Sequence, residues 1–193
     1  MEKKTEPSLS AEQLEAELKR VHHKKEYRRT FRSTVYVLIV VAAIAVLAAT
    51  LFMPVLQVTG SSMEPTLENG ELVFAWKNGK FHRGEVVAFY YNNKILLKRV
   101  IGVAGDQIVI KDDGTVLVNG EELEEPYITN KSLGECDLEF PYQVPESRVF
   151  VMGDHRDTSI DSRSNTIGCI SDEVIVGKAA LRFWPLGRFG SIH

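Results

Sequence analysis

Glu85-Val86-Val87-Ala88-Phe89-Tyr90-Tyr91, then Asn92-Asn93, then Lys94-Ile95-Leu96-Leu97-Lys98-Arg99-Val100, is the stretch that decides the fold. It reads as two strands rich in β-branched and aromatic residues with a turn former between them. The same alternation of apolar runs and turn signals extends in both directions. Glu71–Trp76, Gln107–Ile110, Thr115–Val118, Arg148–Met152 and Val174–Phe183 predict further strands. Asn78-Gly79, Asp112-Asp113-Gly114 and Asn119-Gly120 predict the turns. No helix-period segment of useful length follows residue 60, so the part after it is mainly β. About 135 residues there are enough to bury a core.

Upstream the character is different. No charged residue occurs from Ser33 to Met63, and Val35–Met53 is almost wholly apolar. A membrane-spanning helix needs about 20 such residues, and Pro54 suits its end. A cleaved secretory signal has a shorter apolar core, about 7–15 residues, and a shorter leader, so a permanent anchor is expected. Before it, Ser10 reads as an N-cap for a charged helix from Ala11 to about Arg29, while residues 1–9 read as disordered.

Charge orients the span. The net charge of −3 suggests no nucleic-acid partner, but it averages two unlike parts. Residues 1–56 hold nine Lys/Arg and six Glu, and the remainder holds fourteen Lys/Arg and twenty Asp/Glu. Lys19, Arg20, Lys24, Lys25, Arg28, Arg29 and Arg32 all precede the span, which predicts a cytoplasmic N-terminus. The expected organisation is a cytoplasmic segment over 1–33, an anchor over 34–56 and an extracytoplasmic domain over 57–193. Cys136 and Cys169 fall outside the membrane, where a disulfide and two buried thiols are both open. No Cys/His spacing suggests a metal. Asn130-Lys131-Ser132 fits a glycosylation triplet of low specificity.

Lys98 is the oddity of the opening stretch. Strand alternation puts it on the face of Leu96. If that face is apolar, burial lowers the lysine pKa, and a neutral amine can accept a proton where arginine cannot. A serine hydroxyl becomes a nucleophile when such a base removes its proton. The bland alternative is a lysine that snorkels at a strand end. Ser62, in Gly60-Ser61-Ser62-Met63-Glu64-Pro65, reads equally well as a turn residue. His155 offers a Ser-His-Asp arrangement with Asp157 or Asp161, or else a salt-bridged turn.

Three stretches in order carry a resemblance: Thr59–Leu67 (TGSSMEPTL), Leu96–Asp106 (LLKRVIGVAGD) and Gly153–Arg163 (GDHRDTSIDSR). Behind an N-terminal anchor they resemble type I signal peptidases, the membrane-bound Ser-Lys proteases of protein export, in the form of Gram-positive bacteria. The likeness continues to Arg182–Gly190. It implies a mainly β, signal-peptidase-like catalytic domain outside the membrane, behind a single N-terminal transmembrane helix in the cell membrane. It implies Ser62 as nucleophile, Lys98 as general base and Ser159 as the residue orienting Lys98. Asp161 with Arg163, and Asp154 with Arg99, match supporting positions. Val58, Met63, Leu67 and Leu97 match substrate subsites, and the Ser62 backbone N–H matches an oxyanion donor. Gly60 stands where some relatives carry a serine donor to the oxyanion, and His155 where many carry Asn. No cofactor is implied. The implied partners are signal-peptide-bearing preproteins and the bilayer, with the export channel a candidate. A self-cleaving repressor-type Ser-Lys protease and a non-catalytic anchored β-domain of the export machinery are the alternatives.

Overall fold

A computed structural model describes residues 11–77 and 79–192. The disordered reading of residues 1–9, the Ser10 cap and Asn78 of the Asn78-Gly79 turn lie outside the described residues. Two compact units divide the chain between Ala49 and Thr50.

The first unit belongs to helix α1, Ala11–Phe52, whose 42 residues span about 63 Å at ~1.5 Å each. The sequence predicts a charged helix and a separate span; the structure has one continuous helix. The reason is local: no glycine or proline interrupts residues 11–52. At the junction Thr34 simply donates its hydroxyl to the Thr30 carbonyl at 3.0 Å, a bond an unbroken helix tolerates. His22–Ala49 within it is long and apolar enough to cross a membrane.

The second unit is antiparallel β. Its strands are β1 Val55–Gln57, β2 Leu72–Trp76, β3 Val86–Tyr91, β4 Lys94–Gly102, β5 Gln107–Ile110, β6 Val116–Val118, β7 Glu121–Glu122, β8 Tyr142–Gln143, β9 Arg148–Met152, β10 Ile170–Ser171, β11 Ile175–Trp184 and β12 Gly190–Ser191. One sheet runs β1-β2-β11-β3-β4-β9-β10, with β12 also on β11; a smaller sheet runs β7-β6-β5-β8. The opening stretch forms the β3–β4 hairpin, paired from Val86↔Arg99 to Tyr91↔Lys94. Asn92 and Asn93 both have positive φ, 45° and 60°, the twist-matched two-residue turn that asparagine tolerates.

All seven expected strands are present to within a residue or two. The five unpredicted ones have two or three residues each, too few to show a period. Strand β1 was hidden differently. Val55 and Leu56 continue the apolar run of the span by composition, yet they pair with Phe74 and Val73 of β2.

Three buried clusters hold the unit together. The first contains Leu56, Val58, Met63, Leu67, Val73 and Leu97. The second fills the space beneath the small sheet with Ile101, Ile108, Val116, Phe150 and Met152. The third holds Val87, Phe89, Val100, Val151 and Ile175. Both cysteines are free thiols, and Cys169 packs in the second cluster, where burial raises its pKa.

Candidate active site

Strand β4 crosses all three clusters, and its alternation sorts the side chains. Leu97 points into the first cluster and Ile101 into the second, while Val100 is in the third and Leu96 packs against it. Lys98, flanked at period two by Leu96 and Val100, is 3% exposed. Its Nζ donates to Ser159 Oγ at 2.8 Å. Burial is the main cause that lowers its pKa from 10.5 to about 8; Asp161 opposes the shift and Arg163 reinforces it. The snorkelling alternative requires an ammonium in water, and this amine is enclosed.

Ser159 is held by the loop after β9. This loop, residues 153–163, is turned and tied down by a buried ion pair. Arg163 donates Nε to Asp161 Oδ1 at 2.8 Å and Nη2 to Asp161 Oδ2 at 2.9 Å, with neither side chain exposed. The same guanidinium donates to the carbonyls of Leu133 and Arg156. Asp161 also accepts from the Gly153 N–H at 2.9 Å. Burial alone would raise the Asp161 pKa, but Arg163, the Gly153 amide and the Ser159 hydroxyl together hold it below the usual carboxylate range.

Ser62 reaches this loop through its backbone. Its carbonyl accepts from the His155 N–H at 3.1 Å. Gly153 makes the approach possible: a Cβ there would lie 2.2 Å from Ser159 Oγ and 2.5 Å from the Ser62 carbonyl oxygen. One glycine thus sits between the serine of the first motif and the serine beside Lys98.

A second buried pair joins the same parts. Arg99, next to Lys98 in β4, donates Nε to Asp154 Oδ1 at 2.9 Å and Nη2 to Asp154 Oδ2 at 2.7 Å. Thr66, four residues after Ser62, donates its hydroxyl to Asp154 and accepts from Arg99. Tyr127 covers Arg99, its ring centroid 3.8 Å from the guanidinium carbon. Burial is the main cause that raises the Tyr127 pKa, and the neighbouring Glu125 carboxylate adds to it. Glu125 accepts from Tyr127 and from Arg156, whose Nε bonds the Gly153 carbonyl. Sequence reasoning does not mark Thr66, Glu125, Tyr127, Arg156 or Gly153 as site residues. Thr66, Arg156 and Gly153 lie inside the quoted motifs; Glu125 and Tyr127 come from a loop with no pattern to mark them.

The structure therefore draws Ser62, Lys98, Ser159, Asp161, Arg163, Asp154 and Arg99 into one region. Val58, Met63, Leu67 and Leu97 share the first cluster, none more than 9% exposed. The triad alternative lacks its orienting bond. It needs an imidazole Nδ1–H on a carboxylate, whereas His155 Nδ1 is buried without a partner. The Gly60 N–H donates to Asn69 Oδ1 at 3.0 Å, so it is committed inside the loop rather than free for an oxyanion. Among the described residues no cluster of His, Cys, Asp and Glu is arranged to hold a metal ion.

The sequence of this chain matches, over residues 30–184, the family described as signal peptidase, peptidase S26. Signal peptidase I of Bacillus licheniformis is 38% identical over 165 residues, covering 79% of this chain and 87% of that protein. Signal peptidase IB of Staphylococcus aureus is 38% identical over 153 residues, covering 68% and 78%. A solved signal peptidase I from Enterococcus faecalis is 29% identical, covers 51% of this chain and 96% of that one, and has a TM-score of 0.42.

Proposed function

The chain belongs to the S26 family of signal peptidases, and from that premise we propose that Ser62 is the nucleophile and Lys98 the general base with which it removes signal peptides from preproteins. The enzyme is a serine endopeptidase. The observation that carries the assignment is the enclosed Lys98 amine, its pKa lowered to about 8 and one N–H committed to Ser159. With one N–H held there, the lone pair of the neutral amine is free to take the Ser62 proton.

The reaction then runs in two halves. Ser62 Oγ attacks the scissile carbonyl as its proton passes to Lys98. The resulting ammonium donates that proton to the leaving amine, which departs as the N-terminus of the mature protein. Lys98, neutral again, takes a proton from water, which attacks the acyl-enzyme; the ammonium then returns that proton to Ser62 Oγ as the ester bond breaks and the signal peptide leaves. Oxyanion stabilisation falls to the Ser62 N–H, since Gly60 has no side-chain donor and its own N–H is used. The subsite positions that the resemblance implies, Val58, Met63, Leu67 and Leu97, are buried together in the first cluster, and Leu97, 9% exposed, offers the most surface to the small residues before the cut.

The anchor lies in the apolar part of α1, residues 34–52, with the residues before it in the cytoplasm and the β unit from Val55 onward as the catalytic domain outside, so the expected boundary at 56/57 moves to the start of β1. The cations before the span support this orientation. The lipid bilayer and the export channel complete the proposed surroundings. The test is full-length protein in detergent with one preprotein. Ser62→Ala and Lys98→Ala should lose at least about 10³-fold in rate, and Ser159→Ala should be impaired. Preprotein cleavage by Ser62→Ala at the wild-type rate would refute the assignment.

A further inference from the structure

Two arginines near the C-terminus converge on the loop that carries Ser62, and the reaction above gives them nothing to do. The loop covers residues 58–71. Its base is closed by the Val58 N–H on the Glu71 carbonyl at 2.8 Å and the Gly70 N–H on the Val58 carbonyl at 2.9 Å. Inside the tip, Glu64 N–H bonds the Ser61 carbonyl and Leu67 N–H bonds the Met63 carbonyl. The Pro65 and Thr66 carbonyls have no such internal partner, and the arginines take both. Arg182, on β11, donates Nη1 to the Thr66 carbonyl at 2.9 Å. Arg188, in the turn Leu186–Arg188, donates Nη2 to the Pro65 carbonyl at 3.2 Å.

Glu71 locks the two together. It is 2% exposed. One of its oxygens lies 2.9 Å from Arg188 Nη1, and the other accepts from Arg182 Nη1 at 3.3 Å and from the Glu68 N–H at 3.2 Å. Arg182 Nε in turn donates to the Arg188 carbonyl. Thr66 is therefore gripped at both ends, its carbonyl by Arg182 and its hydroxyl by the Asp154–Arg99 pair. Arg99 adjoins Lys98 in β4, so the nucleophile's loop is referenced to the base's strand through one residue.

We propose that Glu71, Arg182 and Arg188 are positioning residues that hold the Ser62 loop in register with Lys98. The inference rests on Ser62 and Lys98 being the reacting pair. Its physical basis is that a loop tip with two unpaired carbonyls rocks about its base, and a displacement of about 1 Å at reacting atoms costs on the order of 10²-fold in rate. A purely structural ion network predicts lower stability with the turnover of each folded molecule unchanged.

The experiment uses the full chain in detergent with a short internally quenched peptide, at a temperature where every variant is folded by circular dichroism. Arg182→Met is expected to lower kcat by on the order of 10²-fold with KM little changed and the pH midpoint of kcat/KM unmoved. Arg182→Lys, which keeps one donor for the Thr66 carbonyl, should recover part of the loss. Glu71→Gln combined with Arg182→Met should lose no more than the worse single variant, since both act through one network. Wild-type kcat in folded Arg182→Met, or a double variant whose losses multiply, would overturn the proposal. Ser62→Ala separates the two readings. If it is inactive while Arg182→Met keeps full kcat, only the positioning role falls; if it is active, the premise falls as well.

Discussion

Lys98 is where stability and activity oppose each other. A lysine free in solution holds its proton up to about 10.4, and this one holds it only to about 8. Between those values the unfolded chain binds more protons than the folded one, so stability rises with pH there, and below about 8 the whole penalty applies. At neutral pH that penalty is about 3 kcal/mol. Lys98→Met should therefore be inactive yet more stable at pH 7, by up to about 3 kcal/mol, with the gain disappearing as pH rises through 8 toward 10. Thermal unfolding of both proteins across that range checks it; a variant less stable than wild type at pH 7 would contradict the burial account. In the proposed mechanism the same proton sets the rate. Activity should climb through neutrality and level off above about pH 8.

At the scale of elements, the candidate site is a contact between two loops, 58–71 between β1 and β2 and 153–163 after β9, beside Lys98 of β4, and Gly153 sets the spacing of the loops. Gly153→Ala places a methyl group where Ser159 Oγ and the Ser62 carbonyl now stand. It should lower kcat by on the order of 10²-fold even in molecules that remain folded, as measured on the folded fraction. Wild-type kcat would show that the loops adjust freely. Acid acts on the other support: the Asp161 pKa is held down in the fold, so its contribution is present above about pH 4 and is lost as pH falls through the lowered value. Strands at this scale were legible because β-branched runs bounded by Asn and Gly leave few alternatives, as Asn92-Asn93 shows. The site was legible only in part. Alternation marked Lys98, but its partner Ser159 lies 61 positions away, and the resemblance rather than the spacing pointed to it. Glu125 and Tyr127 left no trace, because a loop has no period from which burial can be inferred.

For the whole molecule, the junction between helix and β unit decides which soluble fragment will work. Leu56 of β1 is 8% exposed in the first cluster, and burying such a side chain contributes about 1.5–3 kcal/mol. A fragment beginning at Val55 keeps it, and one beginning at Gln57 does not. The longer fragment should hydrolyse a short peptide at the full-length rate and unfold at a clearly higher temperature than the shorter one. On a preprotein held in vesicles it should be much slower than the full chain, because an anchor shared with the substrate's own membrane raises the effective concentration of the pair. Equal rates in vesicles would remove the anchor from the account of efficiency.

The most direct test of the Ser62–Lys98 reading is Lys98→Arg in the full-length enzyme. Arginine retains the positive charge and length but stays protonated at any working pH, so it can bond Ser159 without accepting the Ser62 proton. Single-turnover cleavage of one preprotein between pH 7 and 9 should show no product from this variant while wild type accelerates through about pH 8. Cleavage by Lys98→Arg with a wild-type rate and pH profile would mean that another group takes the proton.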